Sequence, residues 1–220
     1  MSTAADNKGT HVRSSLAHRP QTECLELHLV GRVDDESANV LCEGLTRATH
    51  LKQPVILLYI HSPGGFVAAG KRIIDAMNVY RAVTKGSIHT HVAVEAKSMA
   101  AVLFLCGDVR TMCTQATLML HQVSMTDVVA CKKTATDTAA TSAYHTHLNL
   151  ELFRLIADRC ETDVEGLKRK AYAQDWYIYA TEAASLKMAH KIVQRSPYMT
   201  LEVVYKIDIV LNDDMDMNSI

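Results

Sequence analysis

Val55-Ile56-Leu57-Leu58-Tyr59-Ile60-His61-Ser62-Pro63-Gly64-Gly65 is the stretch whose reading decides the fold. The unbroken apolar run after Pro54 suits a parallel strand buried on both faces better than a half-exposed one. A polar, glycine-containing turn closes it. Ile73, Ile74, Met77 and Tyr80 then recur at helical spacing to about residue 82. The same unit repeats downstream. Residues 87–95 read as a strand, Lys97-Ser98-Met99-Ala100-Ala101 as the junction, and residues 98–106 as a short apolar helix stopped by Gly107. Upstream, residues 25–30 alternate with period two and end at Gly31. Asp34 or Asp35 then caps a helix carrying Ala38, Val40, Leu41 and Leu45. Short strands are expected at 109–112 and 117–121. Alternating strands and helices predict an α/β fold with a largely parallel sheet.

Ligands of such sheets bind where strands end at their carboxyl side. Ser62, Gly64 and Gly65, Ser98 and His121 all fall at or just past such ends. Serine attacks a carbonyl only when a base takes its proton and donors stabilise the oxyanion. Ser98 at a helix start has backbone N–H groups and a positive dipole end beside it. Gly64 and Gly65 let backbone approach a substrate without a Cβ in the way. His121 closes Leu118-Met119-Leu120 and can serve as general base. The same residues read alternatively as a plain helix cap, a plain turn and a hydrogen-bonded core histidine. Spacing alone does not separate the two readings.

The rest of the chain bounds the problem. Its 220 residues are 48% hydrophobic but only 5% aromatic, so one domain with an aliphatic core is expected. A net charge of -1 gives no electrostatic footprint for nucleic acid or an anionic membrane. No apolar run approaches the roughly 20 residues of a membrane span, and the polar first 21 residues lack the apolar region of a secretory signal. The cysteines at 24, 42, 106, 113, 131 and 160 form no CxxC pair and fit no zinc spacing. Reduced thiols in the cytoplasm, or in an organelle matrix, are the expectation. His89 and His91 share a strand face and His145 and His147 a helix, without an acidic or cysteine cluster, so no metal and no cofactor are expected. Met112, Met119 and Met125 read as core filling. Residues 126–160, free of Pro and Gly, read as one long helix that projects from the body. A further helix is expected at 163–172, a helix capped by Thr181 follows, and residues 201–211 alternate like a strand before an acidic tail.

Several pieces stand together in one order. They are Gly31-Arg32-Val33-Asp34-Asp35 with Ala38-Asn39, then Tyr59-Ile60-His61-Ser62-Pro63-Gly64-Gly65 with Ala69-Gly70. Ala96-Lys97-Ser98-Met99-Ala100-Ala101, Met119-Leu120-His121-Gln122 and Ala180-Thr181-Glu182-Ala183-Ala184 follow. In this order they resemble the proteolytic subunit of the ATP-dependent Clp proteases, a serine peptidase family, over about residues 25–195. The resemblance implies Ser98 as nucleophile, His121 as base, and the N–H groups of Gly65 and Met99 as the oxyanion hole. It implies a crotonase-like ββα spiral, a peptidase domain at 24–195 between a flexible segment at 1–23 and a tail at 196–220, and a substrate groove near 122–127. The long helix at 126–160 would be the family's handle, joining two stacked rings of seven subunits. The partners implied are further copies of the chain, a Clp-type AAA+ ATPase and unfolded protein substrates.

The chain also departs from the pattern. Counting back from Asp175 to the place expected for the third catalytic aspartate gives Ala171, so His121 is left to Asp175, another group or backbone for orientation. Val123 stands for the proline after His-Gln, Ala100 for glycine, His61 for asparagine, and Leu57 for an aromatic of the pocket that receives ATPase loops. Two alternatives follow: a weakly active or inactive ring subunit paired with an active paralogue, and a crotonase-type acyl-CoA enzyme sharing the fold.

Overall fold

The computed structural model describes residues 24–123, 135–160 and 162–194. The expectations for 1–23, 126–134, 196–220 and the strand-like 201–211 lie outside these residues, as do Met125, Cys131 and positions 124–127 of the groove.

Strand β1 (Cys24–Val30) ends at Gly31, and α1 (Asp35–His50) follows. A reciprocal capping box starts α1. Asp34 Oδ1 accepts the Ser37 N–H at 3.0 Å and Ser37 Oγ accepts the Asp34 N–H at 2.9 Å, so the end of the helix satisfies two otherwise orphan donors. The apolar run forms β2 (Val55–Ser62), and the glycine turn leads into α2 (Val67–Thr84). β3 (Ser87–Lys97) runs into α3 (Met99–Leu105), every residue of which is buried. Then come β4 (Val109–Cys113), β5 (Thr117–Leu120), α4 (Ala135–Cys160), α5 (Val164–Ala173), β6 (Trp176–Tyr179), α6 (Ala180–Ser185) and β7 (Lys191–Val193).

The main sheet runs β1-β2-β3-β4-β7, with every pair parallel. β3 is long enough to have two partners on the same side. Its first half, His89–Val92, pairs with β4; its end, Glu95–Lys97, pairs with β5. β5 in turn pairs antiparallel with β6. The sheet thus branches toward the end of β3, where β2 still pairs with it through Ser62 and Ala96. Leu27, Leu29, Ile56, Leu58, Ile60, Ile88 and Val92 alternate onto one core together with α3 and the inner faces of α1 and α2. This is an α/β fold dominated by parallel pairing, as the strand–helix alternation predicts.

The structure adds two strands that the sequence reading leaves unassigned and moves one helix cap. Residues 191–193 form a strand, too short to stand out in sequence. The residues around Trp176 form an antiparallel strand in a sheet expected to be largely parallel. Thr181 does not cap α6; the helix begins at Ala180, with Tyr179 in the cap position and no side-chain cap bond.

Candidate functional site

Ser98 sits between β3 and α3 with φ 52° and ψ -126°. This left-handed conformation disfavours a residue with a Cβ and costs of order 1–3 kcal/mol, the sort of strain held only where surroundings enforce it. Two contacts enforce it. The Ser98 N–H donates to Met119 C=O at 2.8 Å, extending the β3–β5 ladder. Gly64, itself at φ 93°, packs on the junction: a Cβ there would lie 2.7 Å from Ser98 Cβ and 2.6 Å from Lys97 O. Although Ser98 holds the cap position of α3, its side chain makes no capping bond. Its Oγ instead lies 2.7 Å from His121 Nε2.

His121 follows the last residue of β5, and its side chain is 26% exposed. Asp175 lies on its other side, with Oδ1 3.5 Å from His121 Nδ1. The cause is register. In the antiparallel β5–β6 pair, Met119 faces Tyr177 and Leu120 faces Trp176. One step further sets His121 opposite Asp175. An Nδ1–H aimed at the carboxylate leaves Nε2 as the acceptor for the Ser98 hydroxyl. At 3.5 Å the His121–Asp175 contact is an ion-pair distance, longer than a good N–H···O bond. Asp175 therefore stands beside His121, where the sequence had pointed to position 171. Ala171 is buried within α5 and belongs to the core.

Gly65 and Met99 flank this group. Val33 pairs with the turn through its N–H to Gly64 C=O at 2.9 Å and its C=O to the Phe66 N–H at 2.7 Å. Those bonds use the residues either side of Gly65, so the Gly65 N–H is directed away from Val33. A Cβ on Gly65 would lie 2.1 Å from Val33 O, so the close approach demands glycine. A Cβ on Gly64 would lie 3.2 Å from Met99 N, which brings the turn and the start of α3 side by side. Ser62 is buried and serves the turn, its Oγ accepting the Gly64 N–H at 3.1 Å.

Sequence reasoning passed over Asn149. It is buried on α4, and its Oδ1 accepts the Val123 N–H at 2.7 Å. The signal was an amide one residue after Leu148 and three before Leu152 on an apolar helix face. Glu95 and Lys97 were also passed over; they form an ion pair of 2.6 Å beside the nucleophile position, and the hydrogen bond to Glu95 raises the Lys97 pKa.

Two concavities, of ≈460 Å³ between α1 and α2 and ≈320 Å³ beside Arg110, have none of Ser98, His121 and Asp175 in their walls. Among the described residues no three His, Cys, Asp or Glu side chains group as metal ligands, and no helix is long and apolar enough to cross a membrane. The five described cysteines are free thiols, and burial pushes Cys106 and Cys160 up to about 11. The arrangement offers a strained hydroxyl, a base in hydrogen-bond contact with it, an acid behind the base, and backbone N–H groups at a glycine turn. These are the parts of acyl transfer. Residues 21–196, well over half of the chain, match the family model described as Clp protease.

Proposed function

The chain belongs to the Clp protease family, and on that premise we propose that it is a serine-type endopeptidase subunit of a self-compartmentalised ring protease. The observation that carries this reading is the 2.7 Å contact from Ser98 Oγ to His121 Nε2, with Asp175 behind the ring. In the first step Ser98 Oγ attacks the scissile carbonyl while its proton passes to His121 Nε2. The oxyanion takes hydrogen bonds from the Gly65 and Met99 N–H groups. His121 then returns the proton to the leaving amine, and an acyl-enzyme remains on Ser98. Water, deprotonated by His121, releases the peptide. Asp175 steadies the imidazolium formed in each half.

The open setting of the three side chains suits an extended polypeptide, with confinement in a chamber supplying selectivity. Rings of seven, stacked in pairs through α4 and fed by a Clp-type AAA+ ATPase with unfolded protein, complete the proposal, set in the cytoplasm or an organelle matrix. A fluorophosphonate probe tests it: the assembled protein is labelled, and Ser98→Ala is not. Absence of labelling in the assembled wild type would sink the catalytic claim.

The 3.5 Å gap between His121 and Asp175 and the exposure of Asp175 favour a second reading, a weakly active subunit that assembles with an active paralogue. Vigorous peptide hydrolysis by the pure homo-oligomer removes it.

A further inference from the structure

The base sits at a place where the chain leaves the sheet. Upstream of His121 the backbone is fixed twice, by the Leu120–Trp176 pairing and by the Ser98 N–H to Met119 C=O bond. At 121–123 the ladder is over. There the Val123 N–H donates to Asn149 Oδ1 at 2.7 Å. Asn149 is 5% exposed, on a face of α4 that also buries Leu148, Leu152, Phe153 and Ile156. An amide is costly in such surroundings unless bonded. Among the described residues its acceptor takes one backbone donor, two residues from the base.

Two residues of chain span at most about 7 Å, so a fixed point at Val123 leaves little slack at His121. α4 is itself well anchored: Phe153, Ile156, Ala157 and Cys160 enter the core. Position 123 is also where the family resemblance leads one to expect proline. Proline has no N–H and a fixed φ. Valine frees that φ and adds a donor, and the carboxamide of Asn149 meets that donor.

We propose that Asn149 is a positioning residue for the base, whose side-chain carbonyl clamps the backbone at Val123 and supplies the restraint that valine lacks. The role rests on the reading of Ser98 and His121 as nucleophile and base. In the assembled protein, Asn149→Ala lowers kcat by about 10-fold to 100-fold, the cost of a misplaced catalytic group, and leaves KM nearly unchanged. Labelling of Ser98 by fluorophosphonate slows in parallel. Adding Val123→Pro to Asn149→Ala removes the orphaned donor, stiffens the segment and restores most of kcat, a rescue that a merely structural loss would not show. Hydrogen exchange gives a readout free of any variant: the wild-type Val123 amide exchanges slowly although it lies in no strand or helix. Fast exchange there overturns the proposal, as does a folded Asn149→Ala protein with full kcat, or a loss that Val123→Pro leaves uncorrected. A wild type that neither cleaves nor labels overturns the peptidase reading instead, and slow exchange at Val123 then shows the clamp standing without that reading.

Discussion

Arg110 and His121 are both gathered in by several elements, yet the protein treats them in opposite ways. Arg110 is 3% exposed. Its Nε donates to Met188 C=O at 2.8 Å, Nη1 to Gly107 C=O at 3.0 Å, and Nη2 to the Arg159 and Lys187 carbonyls at 3.0 and 2.7 Å. These carbonyls belong to the ends of α3, α4 and α6 or to the residues just beyond them. Helix ends leave carbonyls without partners and carry negative dipole ends. One buried cation therefore closes three helices. Around His121, among the described residues, little is saturated. It has one short bond, to a serine in a strained conformation, and one long contact, to an aspartate that is 55% exposed. A group that exchanges protons and partners, as the proposed role of His121 requires, cannot be fully satisfied in its resting state. A group that only holds elements together is best satisfied completely.

The sharpest way to break this contrast is at Ser98. Ser98→Gly removes the hydroxyl and the left-handed strain together. Hydrolysis is expected to fall by about 10⁶-fold while the urea midpoint rises, because glycine accepts φ 52°. An unchanged or lower midpoint would mean that the strain lies elsewhere. Next is Asp175→Asn, which keeps the shape and removes the charge. We expect kcat to drop about 10²- to 10⁴-fold, nearer the lower figure given the 3.5 Å contact, with thermal stability unaltered. On the other side of the contrast, Arg110→Met leaves four carbonyls without their donor. Denaturant titration should show a loss of about 3 kcal/mol or more, with kcat per folded subunit unchanged; an equal loss of kcat would show that the two regions are coupled.

The smallest effect compares two histidines. Burial pushes the imidazole of His91 down to about 4, whereas His121 is part-exposed. His91 lies edge-on to Tyr59 and 3.8 Å from Cys113 Sγ. Its unfolded pKa is about 6.5, so on acidification the unfolded chain takes the proton first. The stability held by neutral His91 is complete above about pH 6.5 and is lost progressively toward pH 4, up to about 3 kcal/mol. Urea unfolding at both ends of that window measures the slope, and His91→Phe should flatten it.

Much of this was legible in sequence, and for physical reasons. The apolar run after Pro54, closed by a glycine turn, suits a buried strand, and an aspartate at 34 or 35 marks a helix start upstream. Ser62 to Gly65, Ser98 and His121 converge because parallel strands bring their carboxyl ends to one edge. Asp175 was harder. Its relation to His121 depends on an antiparallel pairing between four-residue strands more than fifty residues apart, which leaves no local signature. Counting along the chain led to Ala171, a buried residue of α5. Asn149 shows in the sequence only as an amide on an apolar helix face; its partner is a backbone N–H, and no side chain at position 123 announces it.

The register of β5 against β6 has one more consequence. Side chains on a strand alternate between faces, so a slip of one residue would turn Asp175 wholly to the far side. There is no halfway arrangement. Damage to this short strand pair should therefore subtract competent subunits from the population without slowing those that remain, and an active-site titration would count them as a fraction of chains, each turning over at full speed.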